Sequence, residues 1–290
     1  MKIVENNPYT GEMYHSRGVT VLHEGEVPYL TFGPMDRMPW VRLAFSTRLG
    51  GVSRGICESM NLSFSRGDDP ETVEENFRRI ADAAGFDRRK IVFSDQVHET
   101  RILRVSSEEA CGEELREKKL SGVDGLVTDE PGLMLATSYA DCVPVFLADP
   151  VHRVVAAAHS GWRGTVAKIG RLAVERLAEE YGSRPEDLTA VIGPSICASC
   201  YEVSEEVAEA CRENFRPEEV RRFLHEKGGG KYQLDLWLAV KCALLEAGIP
   251  EDQIYISGAC TCCNEGLLWS HRATKGKRGN MLGFIGIVES

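Results

Sequence analysis

Apolar residues in this chain fall into short runs rich in Val, Ile and Phe. Those at 29–32, 42–47, 91–94, 101–105, 125–128, 133–146, 153–158, 189–192, 254–257 and 281–288 predict strands. Four stretches repeat at helical spacing instead. In the first, Asp69 is placed to cap free amides and Pro70 suits the first helical position. Val73, Phe77, Ile80, Ala81 and Ala84 make one apolar face before Gly85 ends it. A second helix is predicted over 165–181, with Val166, Ile169, Ala173 and Leu177 inward and Gly182 as terminator. A third follows Ser204 and carries Val207, Ala210, Cys211 and Phe215 on one side until Pro217. A fourth follows Asp235 and ends at Gly248-Ile249-Pro250. Strands outnumber helices and often follow one another, so the expected fold class is α+β: layered mixed β-sheets flanked by helices. No Pro, Gly or Ser-rich linker divides the chain, which is read as a single domain over 1–290. The charged segment 106–119 is expected to be a solvated excursion.

Composition narrows the function. The 290 residues carry 34 Lys and Arg against 44 Asp and Glu, a net charge of −10. That balance argues against coating nucleic acid or an anionic membrane, which require a dominant basic footprint. The first residues lack the apolar core of a signal peptide, and the longest apolar stretch, 133–148, is interrupted by Asp141. The expectation is therefore a cytoplasmic protein without a membrane span. Its ten cysteines are read as reduced thiols, some of them available to a metal, rather than as a disulfide framework.

The densest chemistry lies between Ala140 and Thr165. Two apolar runs flank Asp149-Pro150-Val151-His152, and Pro150 suits a turn there. A tight turn pairs Asp149 with His152 and, further along the same ladder, Cys142 with His159. Directly opposed residues share a face with Cβ atoms about 4.5–5.5 Å apart, close enough to share a metal or a proton, and a one-residue slip would separate them. Cysteine is also among the most buried residue types, so a small core thiol beside a satisfied histidine is the plainer reading of the pair. After His159 comes Ser160-Gly161-Trp162-Arg163-Gly164-Thr165, glycines and an arginine at a predicted helix start, where anions are favoured. His98, after Asp95-Gln96-Val97 at the end of an apolar strand, is a third candidate, although the 98, 142, 159 spacing is no local metal motif.

Six ordered segments carry a resemblance: Ser46 to Ser53 (STRLGGVS), Met60-Asn61-Leu62, Asp95-Gln96-Val97-His98, Ala140-Asp141-Cys142-Val143-Pro144-Val145, Ala158 to Gly164 (AHSGWRG) and Ile192-Gly193-Pro194-Ser195-Ile196. Together they resemble the bacterial laccase-domain (multicopper polyphenol oxidase-like) or YfiH family, regarded as purine nucleoside phosphorylases. The resemblance implies a metal site at His98, Cys142 and His159, holding Zn²⁺, with Cu²⁺ as an alternative. Three ligands with one open position are what a catalytic zinc uses. It further implies phosphorolysis of adenosine, inosine and methylthioadenosine, and adenosine deamination, for which zinc lowers the pKa of water and supplies a nucleophile for C6 of the purine. Arg48 and Arg163 are assigned to phosphate. Asn61 and Gln96 are assigned to purine or ribose edges. Arg272, in the basic segment with Lys275, Lys277 and Arg278, resembles the family's tail that closes on the site. The expected partners are purine nucleosides and phosphate, for a monomer or a homodimer.

Three rival readings accompany it. One is a metal-free hydrolase with Cys142 as nucleophile and His159 as base, acting on an amide of a cell-wall precursor. Another is a copper polyphenol oxidase with Met134 as axial ligand, although seven scattered histidines are few for a multicopper centre. The last is a thiol-rich binding protein without turnover. Cys197-Ala198-Ser199-Cys200 and Cys260-Thr261-Cys262-Cys263 each contain a CxxC spacing. Cys200 and Cys260 lie 60 positions apart, against about 15–20 in the usual zinc ribbon, so these cysteines are read mainly as buried thiols.

Overall fold

The computed structural model of the chain describes residues 1–116 and 120–288. Its first strands are β1 (Thr20–His23), β2 (Tyr29–Phe32), β3 (Val41–Ser46), β4 (Ile91–Asp95), β5 (Ile102–Arg104), β6 (Leu120–Ser121), β7 (Gly125–Thr128) and β8 (Met134–Tyr139). They are followed by β9 (Val143–Asp149), β10 (Val154–Ser160), β11 (Thr189–Ile192), β12 (Glu202–Ser204), β13 (Leu224–Gly228), β14 (Lys231–Leu234), β15 (Ile254–Ile256) and β16 (Met281–Ile287). The helices are α1 (Gly33–Asp36), α2 (Pro70–Ala84), α3 (Trp162–Val166), α4 (Ile169–Tyr181), α5 (Glu205–Asn214), α6 (Pro217–Phe223), α7 (Leu236–Glu246) and α8 (His271–Thr274).

One sheet has the order β1-β2-β3-β16-β8-β4-β6, a second β15-β11-β9-β10-β7-β5, and a small third β12-β14-β13. Alternate residues on single strands belong to different cores, which reveals how the layers stack. On β9, Val143, Val145 and Leu147 join a core with Ile169, Ala173 and Leu177 of α4 and with α7. Phe146 and Ala148 on the same strand face a core shared with Phe45, Leu135 and Ile285 of the first sheet. On β16, Leu282 and Phe284 turn the other way and pack with Val73, Phe77 and Ile80 of α2. The architecture is therefore helix, sheet, sheet, helix, the layered α+β class that strand order predicts. At the inter-sheet contact, Phe146 sits so close to β16 that a Cβ on Gly283 would fall 2.5 Å from its Cζ. Only glycine admits that approach.

The α2 reading is met in detail: the Asp69 carboxylate accepts from Thr72 N at 2.9 Å, and Gly85 ends the helix at φ +73°. Four expectations change. The run 133–146 is two strands, because Asp141 takes φ +88° and turns the chain between β8 and β9. The helix 165–181 is broken at Lys168 (φ +57°) into α3, which starts earlier at Trp162, and α4. The hairpin turn is two residues longer than assumed, so β10 pairs Val154 with Asp149 and His159 with Pro144. In the excursion 106–119, Cys111 and Leu115 are buried against α2 and β4, so it is part of a core and not wholly solvated; residues 117–119 lie outside the described residues. Among the described residues no helix is long and apolar enough to cross a membrane.

Candidate metal and phosphate site

Side chains alternate across a strand, so a register shift of two residues keeps every side chain on its face. Position 159 shares a face with 144, and 144 with 142, so Cys142 and His159 still project to the same side as diagonal neighbours. That side is the inter-sheet side, with Phe146, Ala148, Val155 and Ala157. The site therefore lies where the sandwich opens at the ends of β9 and β10. His98 arrives from the other sheet, three residues beyond the end of β4, with φ +63°, a left-handed conformation that histidine visits more readily than most residues.

The three ligand atoms lie within 4.8 Å of one another. Cys142 Sγ is 3.9 Å from His98 Nε2, and the two imidazoles meet edge to face with centroids 4.8 Å apart. His159 is buried, Cys142 half-buried and His98 exposed, so the triad opens toward solvent on one side. Residue 161, rather than 159, stands directly across from Cys142 in the continued register. It is glycine, and a Cβ there would lie 2.9 Å from His98 Cδ2 and 3.2 Å from Cys142 Sγ. The site needs that missing side chain, which supports its fit to a metal ion.

Asp124, which sequence reading missed, organises the triad. Its buried carboxylate accepts the backbone amides of Val97 and His98 at 3.0 Å and of Glu99 at 3.1 Å. It also takes the Nδ1 hydrogen of His159 at 2.8 Å, which fixes the tautomer and leaves Nε2 for the metal. One residue therefore shapes the His98 loop and orients His159. The only local hint was an acid between Val123 and Gly125 at the start of an apolar strand. Burial opposes ionisation of Asp124, and the bonds from His159 and the amides outweigh it, so its carboxyl lies below the ordinary value. Burial likewise opposes charge on Cys142, but the adjoining His159 and His98 hold its thiol down to about 6, as expected of a metal-binding thiolate. Conversely, burial is overcome at His159 by Cys142 and Asp124, which raise it to about 9. Replacing Asp124 by asparagine keeps the size and removes the charge. We expect metal affinity to fall about 10–100-fold, as read by competition with a chromophoric chelator, while an unchanged affinity would deny Asp124 its orienting role.

The cavity beside the triad, about 150 Å³, is lined by Ser65, Arg66, Gln96, Ser138, Arg278 and Asn280 among others. Gln96 is in it as expected, its amide clamped to Ser138 through Oε1 (2.6 Å to Ser138 N) and Nε2 (3.3 Å to Ser138 O). Asn61 is fully buried behind it. Its Oδ1 accepts from Ser63 and Asn280 amides, and its Nδ2 donates to Ser63 O and Asp68, so it shapes the rim.

None of the three expected arginines lines this cavity. Arg48 donates to Glu265 O (2.7 Å) and Glu58 O (3.1 Å) and lies over the Trp269 ring. Arg163 is exposed and stacks on Trp162. Arg272 donates its amide to Asp141 (2.7 Å) and its guanidinium to Glu202 O (2.9 Å). In their place stand Arg66, which donates to Asn280 Oδ1 at 3.1 Å, and Arg278, which donates to Asn280 and to Gly279 O. Arg278 is 7% exposed and its Nε has no partner. Burial first, then the charge of Arg66, lowers its guanidinium to about 10. Met134 is not an axial ligand: it lies at the far end of β8, its Sδ against Gly286.

Residues 42–288 match the family model described as multi-copper polyphenol oxidoreductase laccase. Purine nucleoside phosphorylase YlmD of Bacillus subtilis is 40% identical over 248 residues, covering 85% of this chain and 88% of that protein. Adenosine deaminase RL5, from an unknown prokaryotic organism, is 34% identical over 79% of this chain and 87% of its own length. The crystal structure of the hypothetical protein YfiH of Bacillus licheniformis superposes with a TM-score of 0.87 at 35% identity, covering 92% of this chain and 99% of that one.

Proposed function

Because the chain belongs to the multi-copper polyphenol oxidoreductase laccase family, and because two arginines, Arg66 and Arg278, line one cavity with its His, Cys, His triad, we propose that it is a metal-dependent purine nucleoside phosphorylase. That juxtaposition carries the reading. Phosphorolysis needs an anion placed beside the sugar, and a buried guanidinium with a free Nε next to a second cation is stabilised by an arriving phosphate dianion. An oxygen of that phosphate bonds to C1′ of the nucleoside, the C1′–N9 bond breaks, and the electron pair leaves on the base, which takes up a proton.

His98, Cys142 and His159 would hold the metal, and zinc suits two nitrogens and a thiolate with an open position. When bound, zinc acts as a Lewis acid that polarises an oxygen or nitrogen atom or renders water nucleophilic near neutral pH. This chain's own residues bind and orient. Gln96 and Ser138 offer hydrogen-bonding edges to the sugar or base, Arg66 and Arg278 take the phosphate, and the Asp124–His159 pair keeps the triad in place. The same triad supports deamination of adenosine as a second activity. Copper oxidation is less well served: Met134 is remote, and among the described residues the triad is the one metal-type cluster containing histidine.

The test is incubation of purified protein with inosine, with and without inorganic phosphate. Hypoxanthine and ribose 1-phosphate are expected in equal amounts, and only when phosphate is present. Release of free ribose, or no base release from inosine, adenosine or methylthioadenosine, would overturn the reading.

A further inference from the structure

Four of the ten cysteines form a second cluster that the reaction does not use. Cys197 and Cys200 lie on the loop after β11, and Cys260 and Cys263 on the loop after β15. These two strands are parallel neighbours, so their following loops emerge side by side. A parallel bridge between Ser195 and Cys260 extends the pairing into the loops, and Thr261 N donates to Ser195 O at 3.1 Å. The fold thereby closes a sequence gap that looked too wide. All four Sγ atoms lie within 4.8 Å of one another, and Cys200 and Cys263 are 3.6 Å apart.

We propose that Cys197, Cys200, Cys260 and Cys263 form a structural tetrathiolate site for one Zn²⁺, separate from the His98, Cys142, His159 triad. Four sulfurs at about 2.3 Å from zinc define a tetrahedron with edges of about 3.8 Å. No separation has to close by more than about 1 Å, and the Cys200–Cys263 pair at 3.6 Å already matches. Core packing alone gives no reason for four thiols from two loops to converge on one point. A disulfide requires sulfurs at about 2.05 Å, and all ten cysteines are free. Four thiolates around zinc leave excess negative charge, and backbone amides are aimed at it: Cys197 N and Cys263 N donate to Cys260 Sγ at 3.3 and 3.4 Å. Such outer donors are characteristic of settled metal ligands.

The site has a structural consequence. Ile196 N donates to Asp141 O at 3.1 Å, and Thr261 Oγ1 donates to Asp141 Oδ1 at 2.6 Å. Both metal-bearing loops thus hold the strained residue next to Cys142. Zinc here clamps the turn that presents the triad's thiolate, as a positioning element without contact to substrate.

The inference is independent of the purine nucleoside reading, and metal analysis tests it directly. Full-length protein purified anaerobically with reductant is expected to hold zinc at the cluster even when the triad is disabled. The Cys142→Ala variant should retain about one zinc per chain, whereas Cys142→Ala combined with Cys260→Ser should retain less than about a tenth of one. Cobalt substitution of Cys142→Ala should give the intense charge-transfer absorption of a four-thiolate site. Because Cys260 is fully buried, a readout that does not depend on folding of the Cys260→Ser variant is a mercurial titration of Cys142→Ala: zinc should be released in step with modification of about four thiols. Zinc-free Cys142→Ala, release uncoupled from thiol modification, or a disulfide among these four cysteines in the anaerobic protein would each overturn the proposal. If the triad binds no metal, zinc content will be the same in wild type and Cys142→Ala, which distinguishes the two sites.

Discussion

Cys142→Ala is expected to lose its triad metal and at least about 10³-fold in kcat/KM for purine nucleoside. The arithmetic follows from what the metal does: charge stabilisation of several kcal/mol, with each 1.36 kcal/mol worth tenfold. Removing the thiolate leaves two imidazoles, one of them exposed, too few to hold the ion against dilution. Cys142 is half-buried at the rim of the sandwich, so the variant should fold with a melting temperature near that of the wild type. The same loss is expected for His98→Ala, and that variant separates the metal reading from a cysteine hydrolase. A hydrolase using Cys142 and His159 alone would tolerate loss of His98 and would be indifferent to a chelator. Steady-state kinetics with elemental analysis of both variants decide the matter, and near-wild-type turnover by Cys142→Ala would remove the triad from the reaction.

Arg278→Ala should weaken phosphate use by about 10²- to 10³-fold. A hydrogen bond to a charged group contributes about 1.5–3 kcal/mol, and the planar guanidinium can make two to one phosphate. The deficit should appear mostly as a higher KM for phosphate, with a smaller fall in kcat. Arg66→Ala should move in the same direction by less, since Arg66 is only half-buried. Arg278→Lys should recover part of the loss, because a point charge is restored without the fork. Arg163→Ala, at an exposed position stacked on Trp162, should leave the phosphate KM within about twofold, as expected of a surface substitution. Equal effects at Arg163 and Arg278 would contradict the assignment. Initial rates at varied phosphate and fixed inosine give the comparison, with thermal unfolding to confirm that loss of the contacts to Gly279 and Asn280 has not unfolded the loop.

What could be read before the fold was known followed the range of the interactions. The α2 helix was legible because its cap, apolar face and terminating glycine lie within 17 residues and act locally. The strand runs were legible because side-chain burial has a period of two. Even the mistaken hairpin register kept Cys142 and His159 together, because the error was an even number of residues. The splits at Asp141 and Lys168 were missed, although Asp141 interrupts its apolar run and aspartate tolerates positive φ; Lys168 gives no such hint, because lysine suits a continuing helix. Asp124 was not legible, since its partners lie 25 to 35 positions away.

The arginines make the same point from the other side. Arg48 and Arg163 stand in conspicuous glycine-containing segments, yet one ties backbone segments together and the other lies on the surface. Arg66 and Arg278 look ordinary in sequence and reach the cavity. The four clustered cysteines stayed apart in the linear view because no local spacing encodes the parallel pairing of β11 with β15. Sequence alone determined the layered α+β class and the ends of α2, because periodicity and capping are properties of residues and their near neighbours, while the resemblance to a family, and no local spacing, pointed to His98, Cys142 and His159. Tertiary structure alone decided which charges meet the triad, which carboxylate orients it and which thiols converge, because each depends on loops brought together by sheet pairing across long stretches of chain.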